Sequence, residues 1–344
     1  MKILHIVWGL KNGGIENMLA DIINVQLRTE QVTLLVINNV LNKSILNRIN
    51  NKCQFIFLNR KIGSKNPLVF LRLNLIILFG RYNIIHLHDI TTIKVLFIPA
   101  NYIRTVHNTH QFIHNYRWHK EIIAISNSVK NDLDNLGYTN SILINNGVDF
   151  GSIKHYIKNK STGVFRIIQV SRIFFKQKGQ DILLEAIRQV IQKGYNVHLD
   201  YIGDGPDFEK LKEMIDRYKI SSYVSLLGDC SRDFIYNNLY KYDLFVQPSR
   251  FEGFGLTVVE AMAAKIPVLV SRNEGPLQII ENGKFGFSFE NGNIQDASEK
   301  IIKIINNYPD NAFLNNAYEH AKSLYSIEKT ALSYLEEYKK ILRK

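Results

Sequence analysis

Cysteine is nearly absent from this chain. Only Cys53 and Cys230 occur in 344 residues, far apart and without metal-type spacing. A disulfide framework and a cysteine-based zinc site are therefore excluded, and a reducing cytoplasm is the expected compartment. Long apolar runs are missing too. The longest, around Leu73 to Phe79, is far below the roughly 20 residues that cross a bilayer. The opening MKILHIVWGL is interrupted by Lys11 and Asn12 too soon for a signal peptide. The spaced glycines of a dinucleotide fold do not occur at its first turn, which disfavours a dehydrogenase. What remains is an ordinary globular composition at a length that suits one large or two medium α/β domains.

Positive charge is in excess, and unevenly so. The net charge is +12, and residues 1–160 hold 19 Lys and Arg against 8 Asp and Glu. Such asymmetry suggests a polyanionic partner, an acidic membrane surface or nucleic acid, with simple solubility as the alternative. No nucleic-acid motif accompanies the charge. The stretch NRKIGSKNPLVFLRLNLIILFGRY mixes cations with a strongly apolar helix, which either docks on an anionic membrane or packs in the core.

KILHIVWGL followed by KNGGIENMLADII has the grammar of a buried strand, a glycine turn and a helix. VTLLVINN, YNIIHLHD, IRTVHNTHQF and EIIAIS continue with buried strands, SNSVKNDLDNLG is a capped helix, and SILINNGVDF is a strand entering a turn. After a polar stretch the pattern restarts with FRIIQVSRI, an amphipathic helix, NVHLDYIGDGP, VSLLGDC, LFVQPS and PVLVS. Near-continuously apolar strands separated by helices indicate parallel sheets covered on both faces. The expected architecture is α/β, with two doubly wound domains at 1–157 and 158–325 facing a cleft. A final helix spans 326–344, with Leu332, Leu335 and Leu342 on one side. Ligands bind beyond the carboxyl ends of such strands, and the candidate residues all sit there.

The most telling stretch is FEGFGLTVVEAMAAKIPVLVS, residues 251–271. Gly253 and Gly255, around Phe254, allow close backbone approach. A helix from about Leu256 or Thr257 offers free N–H groups and a positive dipole end to a phosphate. Glu260, in the first turn or so, could accept bonds from ribose hydroxyls, and Glu252 could reach beyond the phosphates. The alternative for Glu260 is a helix acid complementing the dipole. Arg172 and Lys178, in one loop after a strand, can neutralise a diphosphate leaving group. Gly203 marks a turn, and Gly13 and Gly14 mark another where backbone can approach phosphate or sugar. His88 and Asp89 end one strand and His107 another, while Asp132 and Asp134 read as helix surface.

Together these residues resemble the family 4 (group 1) retaining glycosyltransferases of two-Rossmann, GT-B architecture. The resemblance rests on GGIE, TVHN, SNSVK, NNGVD, SRIFFKQKGQD, IGDGP, LLG and QPSRFEGFGLTVVEAMAAKIPV. It implies transfer of a sugar from a nucleotide-diphosphate donor, UDP by default, to a saccharide or lipid-linked acceptor in capsule, exopolysaccharide or lipopolysaccharide assembly. Arg172 and Lys178 would bind the diphosphate, Glu260 the ribose, Glu252 the transferred sugar, and Leu227 the nucleobase. Gly14 would approach phosphate or sugar, and His107 would contact the sugar or shape the acceptor side. The last helix would return to the first domain. No cofactor or metal is expected, and the protein would be cytoplasmic, peripheral at the inner membrane. One departure is Gln278, which stands where many relatives carry an acid. The rival readings are an epimerase or phosphorylase on the same fold, and a non-catalytic saccharide- or lipid-binding protein.

Overall fold

The computed structural model describes residues 1–11, 13–109, 111–113, 116–156 and 163–343. Contacts divide the chain into two compact units, Met1–Gly147 with Tyr325–Lys344, and Val148–Leu324. The expected boundary near residue 157 lies outside the described residues.

The first unit contains β1 (Lys2–Val7), α1 (Gly14–Gln26), β2 (Gln31–Asn38), α2 (Lys43–Arg48) and β3 (Gln54–Arg60). It continues through α3 (Leu68–Gly80), β4 (Ile84–Leu87), β5 (Tyr102–Val106), β6 (His119–Ala124), α4 (Asn127–Asn135) and β7 (Ser141–Leu143). Its seven strands are all parallel, in the order β3-β2-β1-β4-β5-β6-β7. Ser126 caps α4 by accepting from the Val129 amide at 3.3 Å. Asp134 lies on the surface of that helix, paired with Lys130 at 2.6 Å.

The second unit contains β8 (Phe165–Val170), α5 (Phe175–Lys178), α6 (Gln180–Gln192), β9 (Val197–Ile202), α7 (Phe208–Tyr218) and β10 (Val224–Leu226). Then come α8 (Arg232–Asn238), β11 (Leu244–Gln247), α9 (Leu256–Ala263), β12 (Val268–Ser271), α10 (Glu274–Ile279), β13 (Phe287–Phe289), α11 (Ile294–Asn306) and α12 (Asn311–Tyr325). Six parallel strands take the order β10-β9-β8-β11-β12-β13. Both sheets thus reverse direction once, between β1 and β4 and between β8 and β11. At such a switch point the loops diverge and leave a crevice beyond the strand ends. No described helix is long and apolar enough to cross a membrane.

The chain ends in α13 (Ile327–Arg343), which packs on α1. Its buried side differs from the expected leucine face. Leu335 is buried, but Leu332 and Leu342 are exposed, and Tyr334 and Tyr338 point inward instead. The tyrosines can be buried because their hydroxyls find partners. Tyr338 meets His86 Nδ1 at 2.5 Å, and Tyr334 meets Thr105 Oγ1 at 3.2 Å.

That contact opens onto a buried histidine cluster. His5 Nδ1 lies 3.0 Å from His88 Nε2, and its Nε2 lies 2.8 Å from Gln26 Oε1. His86 Nε2 meets Thr105 Oγ1 at 2.7 Å, and its ring stacks on His88 with centroids 4.3 Å apart. Ligand nitrogens of His5, His86 and His88 fall within 4.8 Å of one another. Stacked rings, however, aim their in-plane lone pairs in parallel, and both His86 nitrogens already face hydroxyls. The cluster is a hydrogen-bonded core of neutral rings. Burial lowers His5 to about 4 and holds His86 and His88 well below the ordinary range. Nearby His107 is also lowered to about 4, by burial first and then by Arg104.

These folded values lie below the unfolded value of about 6.5, so the unfolded chain takes up protons first as pH falls. Stability contributed by the neutral rings is complete above that value and is lost on descent toward pH 4, by up to about 1.4 kcal/mol per pH unit for each ring. Both tryptophans, Trp8 and Trp118, lie in the first unit, so their fluorescence reports its unfolding. The urea midpoint is expected to fall steadily from about pH 7 to about pH 5. A level midpoint would contradict the buried, neutral cluster.

Candidate active site

In the second unit, glycines bring the strand-end loops into backbone contact. Gly203, after β9, has φ +133°, and a Cβ there would sit 2.0 Å from the Ser171 carbonyl oxygen. Gly179, with φ +67°, places the same demand against Pro248, again at 2.0 Å. Only glycine fits either position. The loop after β8 is thereby held between those after β9 and β11.

Two buried amides fix the loop's backbone. Gln180 Nε2 donates to the Arg172 carbonyl at 2.9 Å, and Gln169 Nε2 donates to the Lys178 carbonyl at 3.1 Å. Lys178 is not in an open loop, as expected, but ends the single-turn helix α5. Arg250 clamps the β11 loop from the other side, through two 2.8 Å bonds to Asp181 and one of 2.6 Å to the Phe175 carbonyl.

This frame sets Lys178 Nζ 2.6 Å from Glu252 Oε2. Gln247 Nε2 donates to the same oxygen at 2.8 Å, while Thr257 Oγ1 donates to Gln247 Oε1 at 3.0 Å. Glu252 Oε1 accepts nothing from the described residues. The side chain of Arg172 is exposed, without an ion-pair partner among them. Gly255, φ +107°, caps α9 without a side-chain hydrogen bond, and its carbonyl accepts from the Val258 amide at 3.0 Å, which turns the amide end of the helix toward the loop. Glu260 is the fifth residue of α9, just past its first turn, and its Oε1 accepts from Tyr236 OH at 2.9 Å. Val258, Val259, Ala261 and Met262 bury the opposite side of the helix. Phe254 is buried beneath the loop, between Gly253 and Gly255.

The structure therefore brings Arg172, Lys178, Gly203, Glu252 and the residues 253–257 to neighbouring strand ends, with Glu260 one turn along α9. Leu227 stands apart from this network. It follows β10 and lines a cavity of about 330 Å³ with Arg166, His198, Asp200 and Tyr242 on the sheet face. Gln278 lies half-buried in α10.

Gly13, Gly14 and His107 belong to the first unit. Gly13 is extended (φ −155°), a conformation open to any residue, and a Cβ there would meet the Glu16 carboxylate. His107, directly after β5, is only 9% exposed, and neither ring nitrogen has a hydrogen-bond partner among the described residues.

Sequence reasoning missed Gln247 and Tyr236. Gln247 could have been found, since a polar residue ending the apolar run LFVQ is the signal that marked His107. Tyr236 carried no such signal, because it reaches Glu260 from another helix.

Residues 152–322 match the family model described as glycosyl transferases group 1. Through this segment the chain belongs to the group 1 glycosyltransferases. It is 32% identical to an uncharacterised glycosyltransferase of Methanocaldococcus jannaschii, over 64% of this chain and 60% of that protein. It is also 32% identical to the capsular polysaccharide biosynthesis glycosyltransferase CapM of Staphylococcus aureus, over 54% of this chain and 52% of the relative. The matches thus span a little over half the length of these relatives. Among solved structures, Anabaena HepE in complex with UDP and glucose aligns with a TM-score of 0.82, covering 98% of this chain and 99% of its own, at 20% identity. That likeness establishes the GT-B fold, two parallel-sheet α/β domains.

The glycine contacts give a direct test. Gly292 also has positive φ (+79°), but a Cβ there meets nothing within 4 Å. Gly292→Ala is expected to cost roughly 1–2 kcal/mol, the left-handed backbone penalty alone. Gly203→Ala adds a clash with a carbonyl and is expected to cost several kcal/mol more, or to leave the second unit unfolded by circular dichroism. Equal melting temperatures for the two variants would refute the close approach.

Proposed function

We propose that this chain transfers a sugar from a nucleotide-diphosphate donor, with UDP as the nucleotide, to a saccharide or lipid-linked acceptor in cell-surface polysaccharide assembly. The carrying observation is the convergence of Lys178, Arg172, Glu252 and the start of α9 at the β8/β11 switch point. Family membership supports the reading, as do the capsular relative and the fold shared with a protein crystallised with UDP and glucose.

Arg172 and Lys178 would meet the charge that develops on the departing diphosphate, and the α9 amides would add to it. Lys178 does this preorganised, because Glu252 and the Gln169-bonded backbone already fix it. The open Oε1 of Glu252 would accept a hydroxyl of the transferred sugar. Glu260 would hold the ribose and Leu227 would flank the base. In the first unit, His107 and the turn at Gly13 and Gly14 are the elements proposed to contact the sugar and the acceptor.

Retention is part of the proposal, and the way Glu252 is held bears only on its route. A carboxylate clamped by a lysine and an amide is a weak nucleophile, so a covalent glycosyl-enzyme is disfavoured. Front-face substitution, with the leaving phosphate helping to take the acceptor proton, is the proposed course.

Incubation with a panel of UDP-sugars and saccharide acceptors is expected to release UDP only when an acceptor is present. The product anomer, read by NMR, is expected to match the donor. Lys178→Ala should lower kcat by about 10²–10³. His107→Phe should keep the melting temperature and lose transfer. UDP release independent of acceptor, sugar interconversion without transfer, or full activity of Lys178→Ala would each overturn the proposal.

A further inference from the structure

Helix α3 turns an apolar face outward. At 100° per residue, Leu68, Leu71, Arg72, Leu75, Leu78 and Phe79 fall on one arc of about 120°. Leu73 and Ile77 point the opposite way into the core of the first unit, with Phe70 and Val69 packed beside them. A surface helix normally turns polar residues outward. Here the outward arc is apolar apart from Arg72, and its five Leu and Phe side chains are 43–75% exposed. The core-packing alternative raised by the sequence therefore accounts for only half of this helix.

The patch extends past the helix. Ile62 is exposed just before it, and the exposed Phe97 is tied alongside by its amide, which donates to Asn74 Oδ1 at 2.8 Å. Around the patch the charge has one sign. Lys61, Lys65, Arg72 and Arg81 are exposed, and residues 31–88 contain eight Lys and Arg without a single Asp or Glu.

We propose that the outward face of α3 docks this protein on the surface of an anionic bilayer. Its leucines and Phe79 would sink into the boundary between headgroups and acyl chains, and Lys61, Lys65, Arg72 and Arg81 would engage acidic headgroups. A helix lying in the interface does not span, consistent with its 13 residues. A second copy of the chain fits less well. In a two-fold contact the patch meets itself, setting the same cations against one another. The docking stands independently of sugar transfer, because it is measured without donor or acceptor.

The test is co-sedimentation of the full chain with vesicles of phosphatidylcholine alone or phosphatidylcholine with one third phosphatidylglycerol, at low and at high salt. Binding is expected only to the anionic vesicles, and salt should weaken it. The pair Lys61→Gln with Lys65→Gln is expected to weaken it about fivefold per cation removed. Leu71→Gln with Leu75→Gln should abolish it while leaving the melting temperature unchanged. Phe79→Trp supplies a second readout in a folded chain. Its emission should shift to the blue and be quenched by brominated lipid in anionic vesicles alone. Failure to sediment at low salt, an unshifted Phe79→Trp emission, or dimerisation abolished by Leu75→Gln would each overturn the proposal.

Discussion

Backbone-to-backbone contact at Gly179 and Gly203 is the constraint on which the second unit's site depends. A carbonyl oxygen occupies the space of each missing Cβ, so three strand-end loops meet without side chains between them. Convergence achieved in this way leaves the side chains of those loops available for polar work. The carbonyls of Arg172 and Lys178 are satisfied by buried glutamines, and Arg250 is consumed by Asp181. The side chains of Arg172 and Lys178 stay free of the backbone, with Arg172 exposed and Lys178 turned to Glu252. Lys178 and Gly179 are adjacent, so the charged position and the position needing glycine cannot move independently.

The two units treat polar groups in opposite ways. In the second, Lys178, Glu252, Gln247 and Thr257 form a chain in which each contact is charged or hydrogen-bonded, and such a chain needs little reorganisation when a charged ligand arrives. In the first, burial keeps His5, His86, His88 and His107 neutral, and neither nitrogen of His107 has a hydrogen-bond partner among the described residues. A neutral imidazole can offer one donor and one acceptor to a hydroxyl-rich ligand. The charged chain would suit the donor phosphate of the proposed reaction, and the neutral imidazole would suit a sugar hydroxyl.

Much of this was legible in the sequence where the signal was local. Strands such as VTLLVINN and FRIIQV are buried on both faces, so continuous apolarity marked them, and the restart after residue 160 announced a second sheet. β3 and β13 escaped notice because both are edge strands. The first is half-buried and runs into cations, and the second is three residues long with only Phe289 buried. The leucine side read for α13 is not its buried face, because hydropathy undervalues tyrosine. Tyr334 and Tyr338 go inward once Thr105 and His86 receive their hydroxyls, and those partners lie more than 200 residues away. The acids Glu252 and Glu260 were visible. The groups that hold them were not, since Tyr236 and Lys178 reach them only through the fold.

Helix α3 shows a different limit. An amphipathic helix declares its buried face through periodicity, but a helix apolar all round has no period to read. LVFLRLNLIILFG is compatible with burial on every side or with one side left bare, and the difference lies in how many elements surround it. Here the sheet covers one side and nothing among the described residues of the first unit covers the other. Five large apolar side chains left in water carry a standing free-energy cost, roughly 25 cal/mol for each Å² exposed. A soluble protein with no use for that face would be more soluble with lysine or glutamate there. Cations do occur, but only at the margins and at one site on the arc, where they add attraction to an acidic surface without interrupting the apolar band. The charge asymmetry of the whole chain thus has a local cause. Eight of its cations lie within residues 31–88, the acid-free stretch that contains this helix.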